Sequence, residues 1–180
     1  MKIFALTTLA CLSLATPFTW SADFAKGVAA YQAGDYRTAL AQWMPLARVG
    51  DARAQNFLGF MYDNGEGVLE DDAEAVKWYL LASEQGSAKA QYGLGVMFAN
   101  GEGLPQSNVY AHMWWNLAAA SGDRKASQNK SIIARQMTSQ ELANAQELAR
   151  ACLRKNYINC FKRKSSTASK KYTRSKRTQS

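Results

Sequence analysis

The chain has 180 residues, with 22 Lys and Arg against 14 Asp and Glu, one His and three Cys, for a net charge of +8. That length holds one domain with appendages, and a single His beside so few thiols disfavours a protein-built metal centre. Residues 161–180 hold eight cations and no acid, whereas residues 22–160 hold 13 cations against all 14 acids; a nearly neutral domain with a cationic tail is expected, not a basic domain.

Lys2 opens the chain, and Ile3–Ala15 is an uncharged apolar run. It is short of the roughly 20 residues that span a bilayer and has the size of a signal-peptide core. Small residues at the last and third-last signal positions, Ser21 and Thr19, place the cut after Ser21, so residues 1–21 read as a signal peptide. Cys11, preceded by Thr8-Leu9-Ala10, is a poor match to a lipoprotein signal. Export to the periplasm of a Gram-negative bacterium, or secretion, is the expected localisation. In that oxidising setting Cys152 and Cys160, eight positions apart, make a plausible disulfide.

Phe24–Ala33 and Tyr36–Val49 carry apolar residues at helical spacing around a Gly34-Asp35 turn, which predicts a helical hairpin. Ala39, Leu40, Trp43, Leu46 and Ala47 form the inward stripe of its second helix. From Asp51 the chain repeats itself. Asp51–Gly86 realigns on Ser87–Gly122 at a shift of 36, with 15 of 36 positions identical. A period of that size marks stacked repeats.

In the first copy Ala54, Leu58, Met61 and Tyr62 line one helix, and Asn64-Gly65-Glu66-Gly67 breaks it. Asp71 and Glu74 read as a capping box opening a second helix with Ala75, Trp78, Tyr79 and Ala82 inward. The second copy uses Ala90, Leu94, Met97 and Phe98, then Asn100-Gly101-Glu102-Gly103, then Ala111, Trp114, Trp115 and Ala118. Gly59 and Gly95 sit inside helices, where glycine costs about 1 kcal/mol relative to alanine. The same cost at the same repeat position predicts close approach of a neighbouring helix.

After Gly122 the period fades. Asp123–Met137 reads as one helix, with Ala126, Ile132, Ile133 and Met137 as its apolar positions. Thr138-Ser139-Gln140-Glu141 is a capping box for another running to about Lys155, with Leu142, Ala145, Leu148, Ala149 and Cys152 inward. This more polar pair suits the closing unit of a solenoid. The Ser/Thr/Lys/Arg composition of residues 161–180 predicts disorder.

The segment Ala52–Val68 (Ala-x-Ala-Gln-x-x-Leu-Gly-x-Met-Tyr-x-x-Gly-x-Gly-Val), followed by Ala75-Val-Lys-Trp-Tyr and Gly86, resembles the Sel-one-like repeat. This α/α motif is related to tetratricopeptide repeats. Ala88–Gly122 fits equally well apart from His112-Met113-Trp114. Residues 24–50 look like a divergent first unit and 123–157 like a degenerate end. The resemblance implies an all-α, short right-handed α/α solenoid of about four helical hairpins over residues 22–160. It further implies a non-enzymatic adaptor or scaffold that binds a protein or peptide, without cofactor or metal. A cysteine-rich branch of the family is linked to β-lactam binding and hydrolysis, but Asp51–Gly122 contains no cysteine, so that activity is not carried over.

The residues themselves give little sign of catalysis. His112 stands on a repeat helix beside Trp114, where a packed imidazole is the simpler reading than a general base. Glu70, Asp71, Asp72 and Glu74 open a helix, where the dipole favours negative charge. The Gly-Glu-Gly loops lack the Lys and Ser/Thr of a phosphate loop, and the Trp43, Trp78, Tyr79, Trp114 and Trp115 series reads as core rather than a sugar platform. With groove positions on the first helix of each repeat, off the buried stripe, the candidates are Asn56, Phe60 and Asp63, then Tyr92 and Val96. The tail cations Lys162, Arg163, Lys164, Lys170, Lys171, Arg174, Lys176 and Arg177 are candidates for contact with anionic membrane or envelope polymer, nucleic acid being the weaker match for an exported monomer; a solubilising terminus stands beside them. A cell-envelope hydrolase or β-lactam-binding enzyme is the rival to the adaptor.

Overall fold

The computed structural model describes residues 22–161. The expected signal peptide and the tail cations from Lys162 onward lie outside the described residues. Within them are eight helices and no strand: three hairpins, α1 Phe24–Gln32 with α2 Tyr36–Arg48, α3 Ala52–Asn64 with α4 Asp72–Ser83 and α5 Ala88–Asn100 with α6 Asn108–Ala120, then a closing pair, α7 Arg124–Ala134 and α8 Ser139–Arg154, which both pack on α6. Each unit packs on the next, α2 on α3, α4 on α5 and α6 on α7. The architecture is a short all-α solenoid.

Every helix begins at a short polar side chain. Asp23, Asp35, Asp51, Asp71 and Asp123, with Ser87, Ser107 and Thr138, accept bonds from backbone N–H groups of the first turn, satisfying donors that have no partner within the helix. The expected capping box forms at Thr138 and Glu141. At Asp71 only half of it forms. Glu74 turns outward to Lys77 (3.0 Å), and the Asp71 N–H donates to Tyr62 O instead (3.0 Å). One repeat later the Ser107 N–H makes the same bond to Phe98 O (2.8 Å).

The core of the first three units is built by laying an aromatic ring of the second helix on a glycine of the first. A Cβ at Gly59 would lie 2.6 Å from the Tyr79 ring, and one at Gly95 would lie 2.3 Å from Trp115 Nε1. The divergent first unit obeys the same rule, since a Cβ at Gly27 would lie 2.3 Å from Trp43 Nε1. The two indoles also donate alike, Trp43 to Phe24 O and Trp115 to Tyr92 O, both at 3.2 Å and both three residues before the glycine. Gly27 and Trp43 are 16 positions apart, whereas Gly59 and Tyr79 are 20 apart. The four missing residues come out of the hairpin loop. Trp43, Trp78, Tyr79, Trp114 and Trp115 are all buried.

A second contact stitches successive hairpins. A Cβ at Gly67 would meet Tyr36 Cβ at 2.7 Å, and one at Gly103 would meet Asp72 O at 2.6 Å. Tyr36 and Asp72 are the first residues of α2 and α4, so each loop rests on the second-helix start of the preceding unit. In the closing pair two expectations fail. α7 stops at Ala134, and Ile132 is 56% exposed, because α7 needs only Ala126 and half-buried Ile133 against its neighbours. Ala145, Ala149 and Cys152 of α8 are buried, and Leu142 and Leu148 half-buried. A disulfide joins Cys152 to Cys160 with Cα atoms 4.9 Å apart, and Phe161 packs edge-on against Phe98 and Tyr110.

Two stability measurements check this packing. Gly59→Ala and Gly95→Ala are each expected to lower the unfolding free energy by about 1–3 kcal/mol through overpacking, despite alanine's better helix propensity. Urea denaturation reads the change, and an unmoved or raised midpoint would contradict ring-on-backbone seating. Reducing the Cys152–Cys160 bridge is expected to cost about 2 kcal/mol for a loop of this size, read as a lower melting temperature with reductant and no difference in Cys152→Ser.

Candidate functional site

The five groove candidates, Asn56, Phe60, Asp63, Tyr92 and Val96, are brought together around one cavity of about 620 Å³. Its other walls are Tyr31 of α1, Phe57 and Asn64 of α3, Lys89 and Gly93 of α5, Asp123 and Lys125 at the start of α7, and Tyr79. All but one of these belong to the first helices of the four units or their caps. The reason is helical geometry: the Ala54, Leu58 and Met61 stripe turns into the hairpin, which leaves Asn56, Phe60 and Asp63 on the opposite face.

Tyr79 is the exception, and sequence reasoning missed it as a groove residue. It belongs to α4 and is buried, yet its ring passes between Gly59 and Gly93, where a Cβ at Gly93 would lie 2.8 Å from Cζ. One repeat earlier the position of Gly93 is Phe57, which stacks on Trp43 at 4.3 Å between ring centroids. Replacing a phenylalanine by glycine empties the space through which the Tyr79 hydroxyl reaches the cavity, 3.5 Å from Asp63 Oδ2. The signal was visible as a Phe-to-Gly change at repeat-equivalent positions.

Electrostatically the cavity has two ends. Asp63, in the last turn of α3, is half-buried, and its carboxyl is pushed up to about 6, first by desolvation, then by the charges of Glu102, Asp72 and Glu70; the Tyr79 hydroxyl opposes this. The Tyr79 hydroxyl is itself raised by burial and by Asp63. Two of the acids read as a solvated helix start, Glu70 and Asp72, thus act on the groove. At the other end stand Lys89 and Lys125, in the first turns of α5 and α7. Tyr31 closes the α1 side, its hydroxyl donating to Glu66 Oε2 at 2.5 Å.

His112 is buried on α6 with Nδ1 making no hydrogen bond. Burial, then the nearby Lys130 cation, hold it below its ordinary value, which favours the neutral imidazole. It does not line the groove. Among the described residues no three His, Cys, Asp or Glu side chains are placed to hold a metal ion, and no helix is long and apolar enough to cross a membrane.

Stacked helical hairpins with a groove along their first helices define an α/α repeat protein of the solenoid class. The family model for the Sel1 repeat matches residues 52–87 and 88–123. The chain carries two Sel1 repeats; proteins built of this repeat generally mediate protein–protein interaction and are typically non-enzymatic scaffolds. Its fold is similar to that of c5321, a protective antigen of uropathogenic Escherichia coli strains with an SLR fold. That match has 24% identity and a TM-score of 0.69, over 78% of this chain and 32% of that one. It is also similar to a Sel1 repeat protein from Oxalobacter formigenes, with 30% identity and a TM-score of 0.60, over 69% of this chain and 55% of that one. The chain thus spans about a third and about half the length of these two proteins. No curated protein sequence matches it.

The shifted carboxyl gives a signed pH test. Because the Asp63 pKa in the fold lies above its ordinary 3.8, the folded chain holds a proton that the unfolded chain releases. The resulting stabilisation is present below that ordinary value and is lost as pH rises through about 6. Asp63→Asn is expected to raise the melting temperature at pH 7.5 and to flatten its decline between pH 4 and 6.5, followed by thermal denaturation across that range.

Proposed function

We propose that the chain is a non-enzymatic adaptor of the bacterial cell envelope that holds an extended segment of a partner protein in the groove of α1, α3, α5 and α7. One observation carries this reading: aromatic and aliphatic side chains that a folded monomer would bury stand open in the groove, ringed by polar ones. Phe60 leaves 41% of its surface in solvent, and Phe57, Tyr92 and Val96 beside it are only half-buried. Apolar surface gathered in a concave site and flanked by a few fixed polar groups is the composition of a recognition site. The envelope assignment rests on the signal-like first 21 residues and on the disulfide, which suits an oxidising compartment.

The test places a photoreactive phenylalanine analogue at Phe60 or Tyr92, and separately at exposed Leu81 on α4 or Leu153 on α8. Adducts with a periplasmic protein are expected from the first pair. Adducts from Leu81 and Leu153 alone would move the interface to the other face and overturn the proposal.

A further inference from the structure

The polarity of the groove specifies the segment that fills it. Resting on the groove reading above, we propose that the occupant is an extended peptide anchored by a Lys or Arg side chain. Its cation lies against Asp63, while a neighbouring apolar side chain lies on Phe60, Tyr92 and Val96.

The first argument is uncompensated charge. Asp63 on α3 feels the charges of Asp72 at the start of α4, Glu70 in the α3–α4 loop and Glu102 in the α5–α6 loop at the end of the groove. The C-terminal pole of α3 adds partial negative charge at the same place. Among the described residues the ion pairs use Asp51, Glu74 and Glu147, and none of these four acids. Asp63 takes only the long bond from the Tyr79 hydroxyl, and Glu102 one from Asn100. A half-buried carboxylate facing three like charges is costly in the free protein, and an ammonium or guanidinium group placed there removes the cost. A metal ion is the poorer match, because the acids do not converge as a ligand set.

The second argument is the wall beside the acids. Phe60 lies one turn before Asp63 on α3, and Tyr92 and Val96 face it from α5. A long cationic side chain lays its methylenes on such a surface while its head stays polar. From Asn56 to Asp63 the helix rises about 10 Å, the length of roughly three extended residues. The groove therefore takes one anchor and one apolar neighbour on the same side of the peptide. Lys89 and Lys125 outnumber the helix-capping Asp123 at the far end, which gives a second cation no comparable place there.

The proposal is tested with the full chain at pH 7.5 and dye-labelled hexapeptides containing Leu-Ser-Lys, Leu-Ser-Arg, Leu-Ser-norleucine or Leu-Ser-Glu. The Lys and Arg probes are expected to bind at least tenfold more tightly than the other two. Asp63→Asn, which is expected to be the more stable protein, should erase that preference, and lowering the pH to 5 should weaken the Lys probe as Asp63 takes its proton. Equal or better binding of the norleucine or Glu probe, or an Asp63→Asn variant that still prefers Lys, would overturn the cationic anchor. The groove reading itself would survive in that case if Phe60 crosslinking still captured a partner. A tenfold gain in probe binding in the full-length Lys162→Glu, Arg163→Glu, Lys164→Glu variant would name the chain's own tail as the occupant, and would also overturn the proposal.

Discussion

Everything in this fold depends on how closely two helices can approach within one hairpin. The three glycines Gly27, Gly59 and Gly95 remove the side chain that would hold the helices apart, and an aromatic ring fills the space so gained. Each glycine lowers the intrinsic helix propensity of its segment. The burial of a Trp or Tyr ring, at roughly 25 cal/mol per Å² of apolar area, more than offsets that loss. Because the ring is flat and the glycine face is flat, the contact fixes the rotation of one helix about the other. The face each first helix presents outward is thereby fixed as well.

The groove follows from that rotation. In the first and third hairpins the ring is an indole whose N–H is spent on a backbone carbonyl. In the second it is a phenol, which has no donor at that place and directs its hydroxyl past Gly93 to Asp63. Tyr where the other units have Trp, together with Gly93 where the preceding repeat has Phe57, thus turns a closed structural contact into a polar group at the floor of a cavity. The acids that surround Asp63 come from three different segments, and the seating of the α5–α6 loop on the start of α4 in the preceding unit brings them together.

Much of this was legible in the sequence because repetition isolates what packing requires. The 36-residue period, the buried stripes, the glycines at 59 and 95 and the outward face holding Asn56, Phe60 and Asp63 could all be read from residue spacing. What escaped was information carried by departures from the repeat. Gly27 and Trp43 follow the rule, but four fewer loop residues hide the register. Gly93 in place of Phe57 opens the cavity, which no stripe pattern reports. Glu74 satisfies the capping-box spacing yet pairs with Lys77, because the Asp71 N–H already has Tyr62 O as its acceptor. Ile132 counts among the apolar positions of its helix yet faces solvent. In the last unit the period no longer constrains which face an isoleucine takes.

The segment after α8 folds back over the array. Tyr157 lies against Gly86, Asn159 N–H donates to Glu84 Oε1 across 75 positions of sequence, and Phe161 sits on the third hairpin. This stretch of backbone therefore works as a ruler: it reaches from α8 back to the second hairpin and is held at both places. Solenoids ordinarily change length by gaining or losing units, each seeing only its neighbours. Here a unit inserted between α6 and α7 would carry the closing segment away from Glu84 and Gly86. An added unit at that place would then have to break contacts that span two units, not one.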